Sequence, residues 1–116
     1  MIRDIGGAAF PFAVDLADSA TIRTIFAAIA EQFGAIDIMV NNAGSAPTIK
    51  TMQWVPDDQW DKTVSVNLTA VYAAVKAVLP AMLPRGDGVI VTVSSLAAIA
   101  RTCSAAPPTG RPRRRC

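Results

Sequence analysis

The chain has 116 residues, of which 52% are hydrophobic, and it carries a formal net charge of +2. This composition excludes a disordered chain, and the length is sufficient for one domain with a modest core. The chain has no histidine, and its two cysteines lie in the last stretch. A histidine-based catalytic triad, a histidine- or cysteine-ligated metal site and a disulfide framework are therefore excluded for the body of the chain.

The positive charge lies at the C-terminal end. Residues 1–100 contain six Lys and Arg and nine Asp and Glu, a net charge of −3, whereas residues 101–116 contain five Arg and no acid, a net charge of +5. We predict a folded domain over residues 1–100 and an Arg/Pro-rich disordered tail over residues 101–116. The arginines could bind phosphate groups, but we expect no nucleic-acid partner, because no recognised nucleic-acid-binding fold accompanies them.

The sequence also predicts no membrane segment. No apolar run approaches the roughly 18 residues that a membrane span needs. The N-terminal residues do not combine a basic region with a following apolar one, as a leader peptide would. We therefore expect a cytoplasmic protein without a membrane partner.

The first predicted elements are a strand and a helix. Residues 8–14 are apolar and predict a strand, and Pro11 favours the edge of a sheet, because proline cannot donate to a ladder. A helix follows, with Asp18 or Ser19 as its N-cap and Gly34 at its end.

Two more strands flank a long helix. Residues 36–40 and 89–93 are short apolar runs, and residues 56–84 carry an apolar stripe at helical spacing. The members of this stripe are Trp60, Val64, Leu68, Val71, Val75, Val78 and Met82. The alternation of strands and helices with short loops predicts an α/β fold, a partial Rossmann-like parallel sheet with helices on both faces. Right-handed crossovers would then bring the ends of the last two strands to one edge.

A polar tetrapeptide, Asn41, Asn42, Ala43 and Gly44, follows the second predicted strand directly. Open α/β sheets bind ligands outside the carboxyl ends of their strands, and small residues there permit close backbone approach. Taken alone, the tetrapeptide fits a ligand-binding turn and a purely structural turn equally well.

Four motifs in order point to a family. They are Asp15, the tetrapeptide at residues 41–44, Asn67 within Val66-Asn67-Leu68, and Ser94-Ser95 after an apolar strand. In this order and spacing, residues 1–100 resemble the classical short-chain dehydrogenases/reductases. The resemblance implies a Rossmann-type fold that binds NAD or NADP, and hydride transfer between the nicotinamide and an alcohol or carbonyl carbon of a small molecule.

The resemblance also implies roles for individual residues. Asp15, with Leu16 beside it, would meet the adenine ring, and Asn42 would lie near the adenine ribose. Asn67 would hold a water in the proton relay of the catalytic tetrad, and Ser95 would hydrogen-bond the substrate oxygen. The implied cofactor-binding set is Asp15, Leu16, Asn41, Asn42, Ala43 and Gly44. Each motif also has a plain structural interpretation: a turn cap for the acid, a local hydrogen bond for the helix asparagine, and a strand-end turn for the serines.

The chain departs from the family pattern in two places. The resemblance begins near the family's third strand, so the first two strands and their glycine-rich phosphate loop have no counterpart. The expected Tyr-x-x-x-Lys motif does not follow Ser95: the single tyrosine is Tyr72, and no lysine follows Lys76. We therefore expect a fragment of an oxidoreductase that is inactive alone. The alternative is a non-catalytic Rossmann-like remnant that acts through protein–protein contacts. As a separate expectation, the helix at residues 57–84 could form a homo-oligomer.

The tail is compatible with a shifted reading frame. Read from the third base of the Pro108 codon, residues 108–116 can encode Tyr-Gly-Ala-Ser-Lys-Ala-Ala-Val, which contains the missing motif. This interpretation requires the Pro108 codon to end in T and the Arg113 codon to begin with AG. Sequencing the gene tests the hypothesis, because any other bases at those positions rule it out.

Overall fold

The computed structural model describes residues 3–49 and 51–96, so the predictions for the tail lie outside the described residues. Helix α1 spans Ser19–Phe33, strand β1 spans Ile38–Asn41 and strand β2 spans Val89–Thr92. A long helix between the strands comprises α2 (Asp57–Val64), a π-helical turn (Ser65–Thr69) and α3 (Ala70–Met82). Short 3₁₀ turns occupy Arg3–Ile5, Met52–Trp54 and Leu83–Arg85.

Local capping defines both ends of α1. Asp18 is the N-cap, and its carboxylate accepts hydrogen bonds from the Thr21 hydroxyl (2.6 Å) and the Ala20 N–H (2.8 Å). These bonds lower the pKa of the Asp18 carboxyl below its usual value, and the bond from the Thr21 hydroxyl has the largest effect. Gly34 ends the helix with φ at 84°, in the left-handed region that favours glycine. The predicted helix is confirmed, with Asp18 rather than Ser19 as its cap.

The two strands form a parallel pair. Ile38 lies opposite Val89, and Asn41 lies opposite Thr92. Parallel neighbours separated by a helix are the βαβ arrangement, which confirms the predicted α/β class with a parallel sheet. Because the strands run in the same direction, their carboxyl ends meet at one edge.

The core lies between α1, α3 and one face of the sheet. Its buried members are Ile22, Met39, Ala70, Ala73, Ala74, Val78 and Met82. Small alanine side chains on α3 allow α1 to approach closely. Met39 points into this core, whereas its strand neighbours Ile38 and Val40 are exposed. Among the described residues, the helices therefore cover the Met39 face, and a second helical layer is not seen.

The predicted apolar stripe of the long helix is only partly correct. Val78 and Met82 are buried, but Trp60 and Leu68 are 50% and 67% exposed, and the alanines provide most of the buried face. The reason is the π-helical turn at Ser65–Thr69, where the Ala70 N–H donates to the carbonyl five residues earlier. A π-helical turn contains one residue more than an α-helical turn. The residues at spacings of three and four that share one face of the helix before the turn therefore lie on a different face after it.

The predicted first strand is wrong. Residues 8–14 have no strand pairing in the structure. Phe10 and Phe12 instead contact Phe33 at the end of α1, with ring centroids 4.7 and 6.3 Å apart. A strand is defined by its ladder, and the described residues supply no neighbour for this apolar segment.

The long helix also meets the length and hydropathy requirements of a membrane span. Asp57–Arg85 comprises 29 residues with a mean hydropathy of 1.6 in its most apolar window. A core helix of a globular protein has the same properties, and α3 packs through its alanines against α1. This feature is therefore weak support for a membrane location.

Candidate functional site

The candidate site lies at the edge where both strands end. The Asn41 Nδ2 donates to the Thr92 Oγ1 (3.3 Å), and the Val93 N–H donates to the Asn41 carbonyl (2.9 Å). These bonds hold the first residue of the tetrapeptide against the end of β2. Ser95 is exposed three positions beyond Thr92, and so follows the strand at the same edge. The predicted convergence of the two strand ends is confirmed.

Asn67 connects this edge to the long helix. Its Oδ1 accepts from the Ser45 N–H (2.8 Å), and its Nδ2 donates to the Ser45 carbonyl (2.7 Å). One side-chain amide therefore pairs with both backbone groups of a single residue, as a neighbouring strand would. An added Cβ at Gly44 would lie 3.4 Å from the Asn67 Oδ1, so the side chain rests directly against the tetrapeptide.

The two hydrogen bonds between the Asn67 amide and the Ser45 backbone are here called the Asn67 clamp. Sequence reasoning did not predict the part that Ser45 plays in it. Its hydroxyl oxygen is buried and has no hydrogen-bond partner among the described residues. A buried unsatisfied hydroxyl is costly, so this atom is a candidate contact for a ligand. The only sequence signal was its place directly after the tetrapeptide, because a lone serine in a loop carries no chemistry by itself.

Asp15 and Leu16 approach the same edge from the first segment. The Asp15 Oδ1 accepts from the Ala17 N–H (2.9 Å), so the carboxylate caps a local turn, as its structural interpretation predicted. Leu16 is half-buried and packs against the core. Leu16, Asn41, Asn42 and Ala43 line one cavity of about 350 Å³. Residues 12–16, α1, β1, the following turn and residues 66–74 enclose this cavity, here called the edge groove; no residue of β2 lines it.

A Tyr-x-x-x-Lys spacing does occur earlier in the chain, on the long helix rather than after Ser95. Tyr72 and Lys76 lie four residues apart on α3, and the Lys76 Nζ lies 3.3 Å from the Tyr72 Oη. The ammonium also lies 5.6 Å from the centre of the tyrosine ring. Tyr72 is 62% exposed, so this pair is a solvated helix-surface contact of the ordinary i, i+4 kind. The residues that follow Ser95 contain no tyrosine and no lysine, so the motif expected there is absent from the sequence.

The helix N-termini of the described residues do not suit a pyrophosphate. The N-terminus of α1 is occupied by the Asp18 carboxylate, and the first turn of α2 carries Asp57 and Asp58. A phosphate would meet negative charge at both places, whereas such groups bind where backbone N–H groups are free. Within the described residues, no cluster of three or more acidic, cysteine or histidine side chains could hold a metal ion.

Comparison with curated proteins gives close relatives among dehydrogenases. The 2-(R)-hydroxypropyl-CoM dehydrogenase of Xanthobacter autotrophicus is 41% identical over 87 residues, which cover 73% of this chain and 35% of the relative. The D-threitol dehydrogenase of Mycolicibacterium smegmatis is 40% identical over 92 residues, covering 79% and 35%. The chain therefore spans about a third of the length of these relatives.

Two solved structures share the fold of this chain, at about a third sequence identity. A metagenomic short-chain oxidoreductase in complex with NADP superposes with a TM-score of 0.78 and 34% identity, over 82% of this chain and 42% of that one. A short-chain dehydrogenase/reductase from Burkholderia xenovorans gives a TM-score of 0.76 and 35% identity, over 84% and 37%. The family model described as short chain dehydrogenase matches residues 1–107. The chain belongs to the short-chain dehydrogenase family.

Proposed function

We propose that this chain forms the adenosine-binding and substrate-positioning part of an NAD(P)-dependent short-chain oxidoreductase. The observation that carries the proposal is the Asn67 clamp, which ties the tetrapeptide to the long helix at the edge where Ser95 also lies. A fixed edge of this kind is what binding at the carboxyl ends of an α/β sheet requires.

The residues present suit the adenosine end of a dinucleotide. Leu16 and, from the tetrapeptide, Asn42 line the edge groove, and Asp15, next to Leu16 in the chain, is exposed. The buried Ser45 hydroxyl offers a hydrogen-bonding group without a partner at this edge. The negative helix N-termini do not suit the pyrophosphate, so its binding groups must come from outside the described residues.

When bound, the nicotinamide supplies or accepts the hydride at the substrate carbon. In the proposal, the Ser95 hydroxyl orients the substrate by donating a hydrogen bond to its oxygen. Asn67 acts mainly as a positioning residue, since its amide already pairs with Ser45; the water of the proton relay would use its remaining Oδ1 lone pair or a carbonyl of the π-helical turn. Without a positioned general acid/base after Ser95, a contribution of ~10²–10⁴-fold is missing, and we expect the chain alone to be inactive.

The proposal also includes a location and an assembly. We place the protein in the cytoplasm and infer a homo-oligomer through the helix at residues 57–84, whose Trp60, Leu68 and Tyr72 are exposed. Light scattering of the purified chain measures this directly. A Leu68→Glu substitution should shift an oligomer toward the monomer, whereas a wild-type chain that is monomeric at ~100 μM would contradict this part.

Ligand titration by NMR tests the function. Adenosine and NADH are added separately to the labelled chain, and we expect both to perturb residues 15–16 and 41–45 with weak affinity, in the ~mM range. Asp15→Ala should weaken binding by severalfold, whereas Asp58→Ala, which removes an exposed acid from α2, should not. An adenosine titration that perturbs none of these residues refutes the proposal.

A further inference from the structure

We propose that the Ser45 hydroxyl turns out of its buried position when a dinucleotide binds, and hydrogen-bonds to the nicotinamide riboside half of that ligand. This inference rests on the proposed function, because it adds a ligand contact to the same site. The observations that carry it are the unpaired hydroxyl, the fixed backbone of Ser45 and the place of this residue outside the edge groove.

The Ser45 hydroxyl lowers the stability of the free chain. Its oxygen is buried, and it has no hydrogen-bond partner among the described residues. A buried hydroxyl without a partner loses the hydrogen bonds that water would provide, whereas alanine would fill nearly the same space without that loss. Groups that destabilise a fold in this way are found where binding needs them. An unpaired hydroxyl directly after the tetrapeptide therefore indicates a partner that arrives with the ligand.

The backbone of Ser45 is fixed, so only its side chain has to move. Asn67 pairs with both the N–H and the carbonyl of Ser45, at 2.8 and 2.7 Å. Serine has one side-chain torsion with three staggered positions, so rotation about a single bond carries the hydroxyl oxygen to another side of the fixed backbone. The flanking residues Gly44 and Ala46 are small and exposed, so neither brings a large side chain over the rotated hydroxyl.

The place of Ser45 selects one half of the dinucleotide. Residues 41–43 line the edge groove, to which we assign the adenosine, but Ser45 does not. Ser95, to which we assign the substrate oxygen, follows β2 and does not line the groove either. A dinucleotide whose adenosine fills the groove extends its other half along the same edge of the sheet. A ligand contact at this edge outside the groove therefore falls on the nicotinamide riboside.

A hydroxyl also suits this half of the ligand by its chemistry. A serine hydroxyl can donate one hydrogen bond and accept two. The ribose hydroxyls and the carboxamide of nicotinamide riboside each offer donors and acceptors, so a neutral hydroxyl can pair with either. The pyrophosphate is an anion, which free backbone N–H groups or cationic side chains bind better. The Ser45 contact should therefore add affinity for nicotinamide riboside and none for adenosine.

The stability of Ser45→Ala without ligand tests the first step of the argument. Because alanine removes an unpaired buried hydroxyl, we expect the midpoint of urea unfolding to rise with an unchanged m-value. Thr48→Val is the matched control, because it removes an exposed hydroxyl from the same loop, and its midpoint should stay near that of the wild type. A Ser45→Ala midpoint at or below that of the wild type would show that the hydroxyl is already satisfied in the free chain, and would overturn the proposal.

NMR titration of the same variants measures the ligand contact. Adenosine, nicotinamide riboside, nicotinamide and NADH are added separately to the labelled chain. We expect Ser45→Ala to weaken the binding of nicotinamide riboside and NADH at least ~5-fold and to change that of adenosine less than ~2-fold. Thr48→Val should change none of these affinities more than ~2-fold. Nicotinamide alone loses affinity in Ser45→Ala if the carboxamide is the partner, and keeps it if a ribose hydroxyl is.

The outcomes separate this inference from the proposed function. If adenosine binds but NADH binds the wild type and Ser45→Ala equally well, the Ser45 contact is wrong and the adenosine site stands. If neither adenosine nor NADH binds, both are wrong. Three-bond couplings to the Ser45 β-protons report the side-chain torsion directly, and we expect NADH, but not adenosine, to change the preferred rotamer. A torsion that stays the same at saturating NADH overturns the proposed rotation.

Discussion

Replacing Asn67 with alanine removes both hydrogen bonds that hold Ser45 against the long helix. The two bonds are 2.8 and 2.7 Å long, within the range of strong neutral amide hydrogen bonds. A typical intramolecular bond contributes about 0.5–1.5 kcal/mol net, so the pair contributes about 1–3 kcal/mol. Because Asn67 is exposed, water can hydrogen-bond to the Ser45 groups that the substitution leaves unpaired. The expected loss in the free energy of unfolding is therefore in the lower part of that range, about 1–2 kcal/mol.

Amide hydrogen exchange at Ser45 is the most direct assay. The Ser45 N–H loses its acceptor in the alanine variant, so its exchange rate should rise by about 5–30-fold, the factor that corresponds to 1–2 kcal/mol. The midpoint of urea unfolding should fall with an unchanged m-value. Asn42→Ala is the matched control, because Asn42 is an exposed asparagine of the same turn, unlike Asn67 without a side-chain hydrogen bond to the described residues. Its effect should stay within about 0.5 kcal/mol.

Asn67→Asp separates the two bonds of the clamp. The carboxylate keeps an acceptor for the Ser45 N–H but places a second oxygen against the Ser45 carbonyl. We expect Ser45 to retain most of its protection while the protein loses about as much stability as the alanine variant does, about 1–2 kcal/mol. If Asn67→Ala changes Ser45 exchange by less than ~2-fold and unfolds at the same urea concentration as Asn42→Ala, the reasoning about the clamp is wrong.

Two further predictions concern the scaffold. An added Cβ at Gly88 would lie 2.6 Å from the Met82 Cγ, so Gly88→Ala should lower the free energy of unfolding by about 1–3 kcal/mol. In a Met82→Ala background this loss should be smaller. Gly86→Ala is the control: Gly86 has φ at 63° and open space around it, so its loss of about 1–2 kcal/mol should be the same in both backgrounds. The pKa of the Asp18 carboxyl is lower in the folded state than in the unfolded state, where it is about 4. The charged carboxylate therefore stabilises the fold above pH ~4, and this stabilisation is lost as the pH falls through the pKa of the folded state. Asp18→Asn keeps the cap but not the charge. It should be less stable than wild type at pH 7 and equally stable at the lowest pH where both fold. A difference in urea unfolding that persists unchanged at pH 2 would contradict the assignment of this stability to the carboxylate charge.

The sequence by itself determined the local elements and the order of the motifs. The ends of α1 were readable because a cap and a left-handed glycine act within a few residues of themselves, as Asp18 and Gly34 do. The two short strands and their parallel direction followed from apolar runs on either side of a helix. Family membership followed in the same way, because the tetrapeptide, Asn67 and the serines keep their spacing along the chain.

Only the tertiary structure decided what these elements contact. Residues 8–14 carry a strand pattern, yet a strand needs a neighbour, and the segment packs on the end of α1 instead. The buried face of the long helix could not be extrapolated across the π-helical turn. Alanines, rather than Trp60 and Leu68, provide most of that face. The partner of the Asn67 amide was also hidden, because it lies 22 residues away along the chain and is a backbone group, which leaves no mark in the sequence.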